Sequence, residues 1–132
     1  MKAKTPREIL LVEDDVLSRF LTEQIILRTY PNTRIRFFED GKKFMDYYDQ
    51  TEEQDCIVLL DLNMPNKNGF ECLDEMTQKQ PNHIPVFILT SSISSLDKQK
   101  AKTYPMVVDY LEKPFDFRSA KNLSTYANQA EN

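Results

Sequence analysis

The sequence predicts an α/β domain built on one parallel sheet of five strands with helices on both faces. Three observations predict it. Five short apolar runs recur, at residues 9–12, 35–38, 56–60, 86–89 and 107–111. Most of them are continuous and not alternating, which is how strands read when both faces of a parallel sheet are covered. Between and after the runs, apolar residues recur at three- and four-residue spacing, so strand and helix alternate five times. Short connections and right-handed crossovers then give a doubly wound sheet. Five strands in about 120 residues suggest the flavodoxin-like strand order 2-1-3-4-5.

The elements follow in order. The first run ends in Glu13-Asp14-Asp15, and Leu17, Phe20, Leu21 and Ile25 then mark one face of a helix. The second run is interrupted, and Arg34 and Arg36 beside it suit a strand near an edge. The turn signal Asp40-Gly41 precedes Phe44, Tyr47 and Tyr48 at helical spacing. The third run leads straight into Asp61, and Asn68-Gly69 precedes Phe70, Leu73 and Met76. The fourth leads into Thr90-Ser91-Ser92, after which residues 96–104 are mostly polar and carry the faintest helical pattern. The fifth leads to Lys113, and Phe117, Ala120, Leu123 and Ala127 form the closing helix.

At 132 residues, with 40% hydrophobic and 29% charged residues, the chain is expected to be one soluble domain over 1–132, its core at about 8–127, with no output domain after it. The net charge of −4 speaks against nonspecific binding to nucleic acid or to an anionic membrane. Neither a signal peptide nor a membrane-spanning stretch is visible, so the cytoplasm is the expected compartment. Cys56 and Cys72 sit in apolar stretches and read as packed, reduced thiols. The single histidine, His83, lies in a polar loop, is expected to be exposed, and leaves little for a histidine-based metal site or triad.

In open α/β sheets the reactive crevice lies outside the carboxyl ends of the strands. There the predicted topology gathers Glu13, Asp14 and Asp15 from the first strand, Asp61 from the third, Thr90 from the fourth and Lys113 from the fifth. Clustered carboxylates repel one another unless a cation joins them. Mg²⁺ suits such a set, because it takes one or two carboxylates together with waters and phosphate oxygens. A carboxylate so placed can act as a nucleophile toward phosphorus, with a lysine and a hydroxyl to receive the phosphoryl oxygens. Each residue also has a plain role available: Asp14 and Asp15 as helix caps, Asp61 and Thr90 as loop residues, and Lys113 as a solvated charge. The coincidence of all of them at separate strand ends favours the chemical reading.

The segments ILLVEDD, LLDLNMPNKNGFE, FILTSS and DYLEKPF, in that order and spacing, resemble the receiver domains of two-component response regulators. The likeness runs from about residue 9 to 123. It implies a signalling switch, not an enzyme, with Asp61 as phosphoacceptor and Mg²⁺ held by Asp14, Asp61 and the backbone carbonyl of Asn63, with Glu13 acting through water. It implies Thr90 and Tyr110 as a switch pair, Lys113 as the lysine of the site, a cis bond before Pro114, and Asp15 as a helix cap. The implied partners are a sensor histidine kinase or histidine phosphotransfer protein and a downstream protein reached through the surface of helix 4, strand 5 and helix 5. Family members also dimerise through that surface. Nucleic acid and membrane are not expected as partners.

Three departures from the family pattern stand out. TYPMVVDY replaces small residues before the fifth strand, so helix 4 is expected to end early or sit differently. Asn68 stands where an acid is common, and Ser91 where a smaller residue is. Asn63 and Ser92 occupy positions that influence phosphoryl lifetime. Three rival readings compete. A dehalogenase-type phosphatase needs a second acid where Asn63 stands. A flavodoxin needs a phosphate-binding loop where Glu13-Asp14-Asp15 stands. A receiver-like scaffold would hold partners without taking phosphate.

Overall fold

Each apolar run becomes a strand: β1 (Glu8–Val12), β2 (Arg34–Phe38), β3 (Cys56–Leu60), β4 (Val86–Thr90) and β5 (Val107–Glu112). They alternate with helices α1 (Val16–Thr29), α2 (Gly41–Tyr48), α3 (Gly69–Lys79), α4 (Ser95–Lys102) and α5 (Phe117–Ala130). This computed structural model describes residues 6–51, 55–79 and 84–130, the last six of them as helix backbone only. His83 and the side chain of Ala127 therefore lie outside the described parts. The sheet is parallel throughout, in the order β2-β1-β3-β4-β5, as the alternation predicts.

Every residue of the central strands β1, β3 and β4 is buried, which explains their continuous apolar runs. Successive side chains point to opposite faces, so each strand feeds two cores. Leu10, Val12, Val58, Leu60, Val86 and Ile88 face Phe44, Leu73 and Met76 on one side. Ile9, Leu11, Ile57, Leu59, Phe87 and Leu89 face Ile26, Ala120 and Leu123 on the other. The outer strands are less covered, and β2 exposes Arg34, Arg36 and Phe37 as the edge its sequence suggests. Cys56 and Cys72 are both buried, and burial pushes the Cys72 thiol pKa up to about 12.

One expectation is corrected. The stripe Leu17, Phe20 and Leu21 is 64%, 55% and 51% exposed, and α1 packs inward through Thr22 and Ile26 with Ile25 beside them. Apolar residues surround α1, from Val16 to Leu27, so periodicity alone does not choose its inner face. Tertiary contact does. Just past the end of α1, the buried Tyr30 hydroxyl donates to the Ala120 carbonyl at 2.5 Å and accepts from the Ser124 amide at 3.1 Å. These two groups are an i, i+4 pair of α5, so the hydroxyl sits within its ladder.

Helix α4 is short and stops at Lys102, with Thr103 as its cap. Tyr104 then fills the space beside α3. Its ring stacks on Phe70 with centroids 6.4 Å apart, and its hydroxyl donates to Asp74 at 2.6 Å. Tyr104 of TYPM thus packs against α3 just past the end of α4, while Met106 is buried in the core.

Candidate functional site

The carboxyl ends of the strands are laced together by backbone hydrogen bonds that continue the sheet. The Glu13 amide donates to Phe38, that of Asp61 to Val12 and that of Lys113 to Thr90, at 3.0, 3.1 and 3.0 Å. The backbone of each site residue is thereby fixed to its neighbouring strand. The fold brings together the residues that the sequence singles out. Glu13, Asp61 and Thr90 are buried, while Asp14 is exposed at the rim.

Glu13, Asp14 and Asp61 each offer a carboxylate oxygen within 4.8 Å of the others. The Lys113 ammonium lies 3.1 Å from Asp61 Oδ2 and also pairs with Glu13 Oε1. Burial alone would lower the Lys113 pKa. The hydrogen bond that the ammonium donates to Glu13 and the charge of Asp61 outweigh it and hold the Lys113 pKa above its ordinary value. Three carboxylates against one ammonium leave a net negative pocket of hard oxygen donors, which fits a divalent cation such as Mg²⁺.

Asp15 caps α1, its Oδ2 accepting the Ser18 amide at 2.8 Å. The Asn63 amide donates to Asp61 Oδ1 at 3.2 Å, so the backbone of residue 63 turns against the Asp61 carboxylate. Thr90 Oγ1 accepts the Ser92 amide at 3.3 Å, and the half-buried Tyr110 donates its hydroxyl to the Ser92 carbonyl at 3.3 Å. Thr90 and Tyr110 therefore meet through Ser92, whose own hydroxyl is held by Asp97 at 2.8 Å. The Lys113–Pro114 bond is cis.

The loop after Asp61 is secured from two sides. Gly69 lies against Asp61, where a β-carbon would fall 2.6 Å from the Asp61 carbonyl oxygen, so a larger residue would push the loop away. Asn68 and Glu71 cap α3 reciprocally, each amide donating to the other's side chain at 2.9 Å. This gives Asn68 a role where the family pattern favours an acid. Asn66 has φ 67°, a left-handed conformation that asparagine tolerates better than most residues. Its side chain donates at 2.8 Å to Asp40, which also caps α2 through the Lys43 amide at 2.8 Å.

Sequence reasoning missed Ser18, Asp40 and Asn66. Ser18 Oγ donates to Glu13 Oε1 at 2.8 Å, from the first turn of α1. Asp40 is visible in the sequence only as a turn residue, since its partner lies 26 positions away. Beside the site, an open groove of about 540 Å³ runs between α1 and the segment after β5, lined in part by Phe20, Leu21, Ile25, Pro114 and Phe115. Among the described residues, no helix is long and apolar enough to cross a membrane.

Comparison with known proteins accords with this geometry. Residues 9–123 match the family model described as the response regulator receiver domain. The chain is 34% identical over 126 residues to a probable methanogenesis regulatory protein, FilR2, of Methanothrix harundinacea, covering 92% of this chain and 81% of that one. It is 33% identical over 115 residues to the response regulator ArlR of Staphylococcus aureus, covering 83% of this chain but only 47% of that protein. A crystal structure of a two component response regulator from Cytophaga hutchinsonii superposes with a TM-score of 0.83 at 28% identity, covering 91% and 95% of the two chains.

Proposed function

Because the chain belongs to the response regulator receiver family, we propose that its phosphorylation-responsive signalling works through transfer of a phosphoryl group to Asp61. One observation carries the assignment. Among the described residues, Asp61 is the buried aspartate of the acidic cluster, and it lies 3.1 Å from the Lys113 ammonium that it shares with Glu13. Glu13, Asp14, Asp61 and the Asn63 carbonyl would hold Mg²⁺, with Glu13 acting through water. The ion, when bound, supplies positive charge to the phosphoryl oxygens.

Asp61 attacks phosphorus as the donor's N–P bond breaks, and the departing imidazole keeps the electron pair and takes a proton from solvent. The donor is a phosphohistidine on a sensor histidine kinase or phosphotransfer protein. Phosphoryl transfer needs positioning and charge neutralisation more than covalent chemistry. Lys113 provides both by turning from the carboxylates to a phosphoryl oxygen. The Thr90 hydroxyl donates to another oxygen, drawing in the segment through Ser92. Tyr110 then gives up the Ser92 carbonyl and turns inward. The phosphoryl group binds this arrangement better than the resting one and shifts the population toward it.

A protein partner then reads the surface of α4, β5 and α5. Ile93 just before α4, Leu96 within it and Phe117 at the start of α5 are exposed large apolar side chains there. The same surface offers a second copy a way to dimerise. Receiver domains are generally signalling modules without turnover of their own, in keeping with a switch.

The test is to incubate the protein with acetyl phosphate, with and without Mg²⁺, and to weigh the intact chain beside an Asp61→Asn variant. A single phosphoryl adduct that requires both Mg²⁺ and Asp61 is expected. An adduct that survives in the variant would move the chemistry to another residue. No adduct in a folded, Mg²⁺-binding protein would favour a scaffold.

A further inference from the structure

Glu13 is the member of the acidic cluster with the longest stem, and its conformation has to be fixed for its carboxylate to serve the site. It is 2% exposed, so water does little to hold it. Three donors meet it. The Ser18 hydroxyl donates to Oε1 at 2.8 Å, the Asp15 amide to Oε2 at 3.2 Å, and the Lys113 ammonium pairs with Oε1. The three are not equivalent. Lys113 divides itself between Glu13 and Asp61, and it is the group that a phosphoryl oxygen would recruit. The Asp15 amide is backbone and present whatever the side chain. Ser18 is the side-chain donor committed to Glu13 alone.

The placement of Ser18 is unusual for a helical serine. Such hydroxyls commonly bond a carbonyl of the preceding turn. Here the Ser18 amide is taken by the Asp15 cap, and the hydroxyl reaches back across the β1–α1 connection to a side chain five residues earlier. One cap therefore fixes the turn, and that turn aims the hydroxyl at the site.

We propose that Ser18 is a positioning residue that holds the Glu13 carboxylate in register for the divalent cation, and so sets the Mg²⁺ affinity of the site. The inference rests on reading Glu13, Asp14 and Asp61 as the cation site. It predicts that Glu13 stays in place when Lys113 turns away, because Ser18 and the Asp15 amide keep hold of it.

Calorimetric titration of the whole chain with MgCl₂ tests this, using wild type, Ser18→Ala and Ser18→Thr. Removing one donor to a charged acceptor should weaken Mg²⁺ binding roughly three- to tenfold. Threonine keeps the hydroxyl and should restore affinity to within about twofold. The Mg²⁺ concentration that half-saturates acetyl-phosphate labelling should rise in Ser18→Ala by the same factor, with the rate at saturating Mg²⁺ retained. A general loosening of the fold would lower that rate instead, and would overturn the proposal. Wild-type affinity in Ser18→Ala, or no rescue by threonine, would also overturn it. Wild-type protein that takes up no Mg²⁺ would bring down the cation site itself, and this proposal with it.

Discussion

Helix α3 buries its apolar stripe, with Leu73 and Met76 wholly out of solvent, whereas α1 leaves Leu17, Phe20 and Leu21 mostly exposed. Both stripes have the same three-and-four spacing. The difference lies in what the rest of each helix offers. Among its described side chains α3 has one apolar face, and its exposed positions are polar. Helix α1 is apolar on more than one side and can satisfy the sheet with Thr22 and Ile26, leaving the remainder beside the reactive rim. An apolar stripe thus reports the capacity to bury, and the neighbours decide whether that capacity is spent on the core or left for a partner.

The sharpest way to break this contrast is at Leu73. Leu73→Ala should cost about 2–5 kcal/mol of stability, because the residue is fully enclosed and its truncation leaves a cavity in the core. Urea unfolding measures this, and a cost below about 1 kcal/mol would mean that α3 is not packed as described.

The next effect in size falls where the α3 side is tied to α2. Asp40→Ala should lose about 1–2 kcal/mol at neutral pH, since it removes a helix cap and leaves Asn66 without its acceptor. The Lys43 amide above all, with help from the Asn66 side chain against the opposing effect of burial, holds the Asp40 carboxyl below its usual pKa. A folded-state pKa lowered in this way adds stability that is fully present above the unfolded value near pH 4 and is lost as pH falls through the folded one. The deficit of Asp40→Ala relative to wild type should therefore be largest at neutral pH and narrow below about pH 4, which unfolding curves across that range would show.

The smallest effect is expected on α1. Leu17→Ala and Phe20→Ala should each change stability by less than about 0.5 kcal/mol, as surface substitutions do. A loss comparable to that of Leu73→Ala would erase the contrast and place the α1 stripe in a core.

The strand order and the membership of the site were legible because both depend on where chemistry-bearing residues end apolar runs. Asp61, Thr90 and Lys113 lie at or just past the ends of β3, β4 and β5, and a parallel sheet gathers such positions at one rim. The inner face of α1 was not legible, because Thr22 is buried there while Leu21 beside it is exposed. Ser18 was not legible either. A serine near a helix start reads as a cap or surface residue, and only the fold reveals that it faces Glu13. The Asp40–Asn66 bond escaped for the same reason, since neither residue alone signals the other.

The Tyr30 hydroxyl has a consequence for how the molecule comes apart. It lies between the Ala120 carbonyl and the Ser124 amide, so one rung of α5 is borrowed from the residue that ends α1. A helix with a borrowed rung does not fray on its own terms. Loosening the end of α1 withdraws a hydrogen-bonding partner from the middle of α5, and unwinding α5 strands a buried phenol. The end of α1 and the middle of α5 are thereby coupled, and local opening of one is expected to weaken the other.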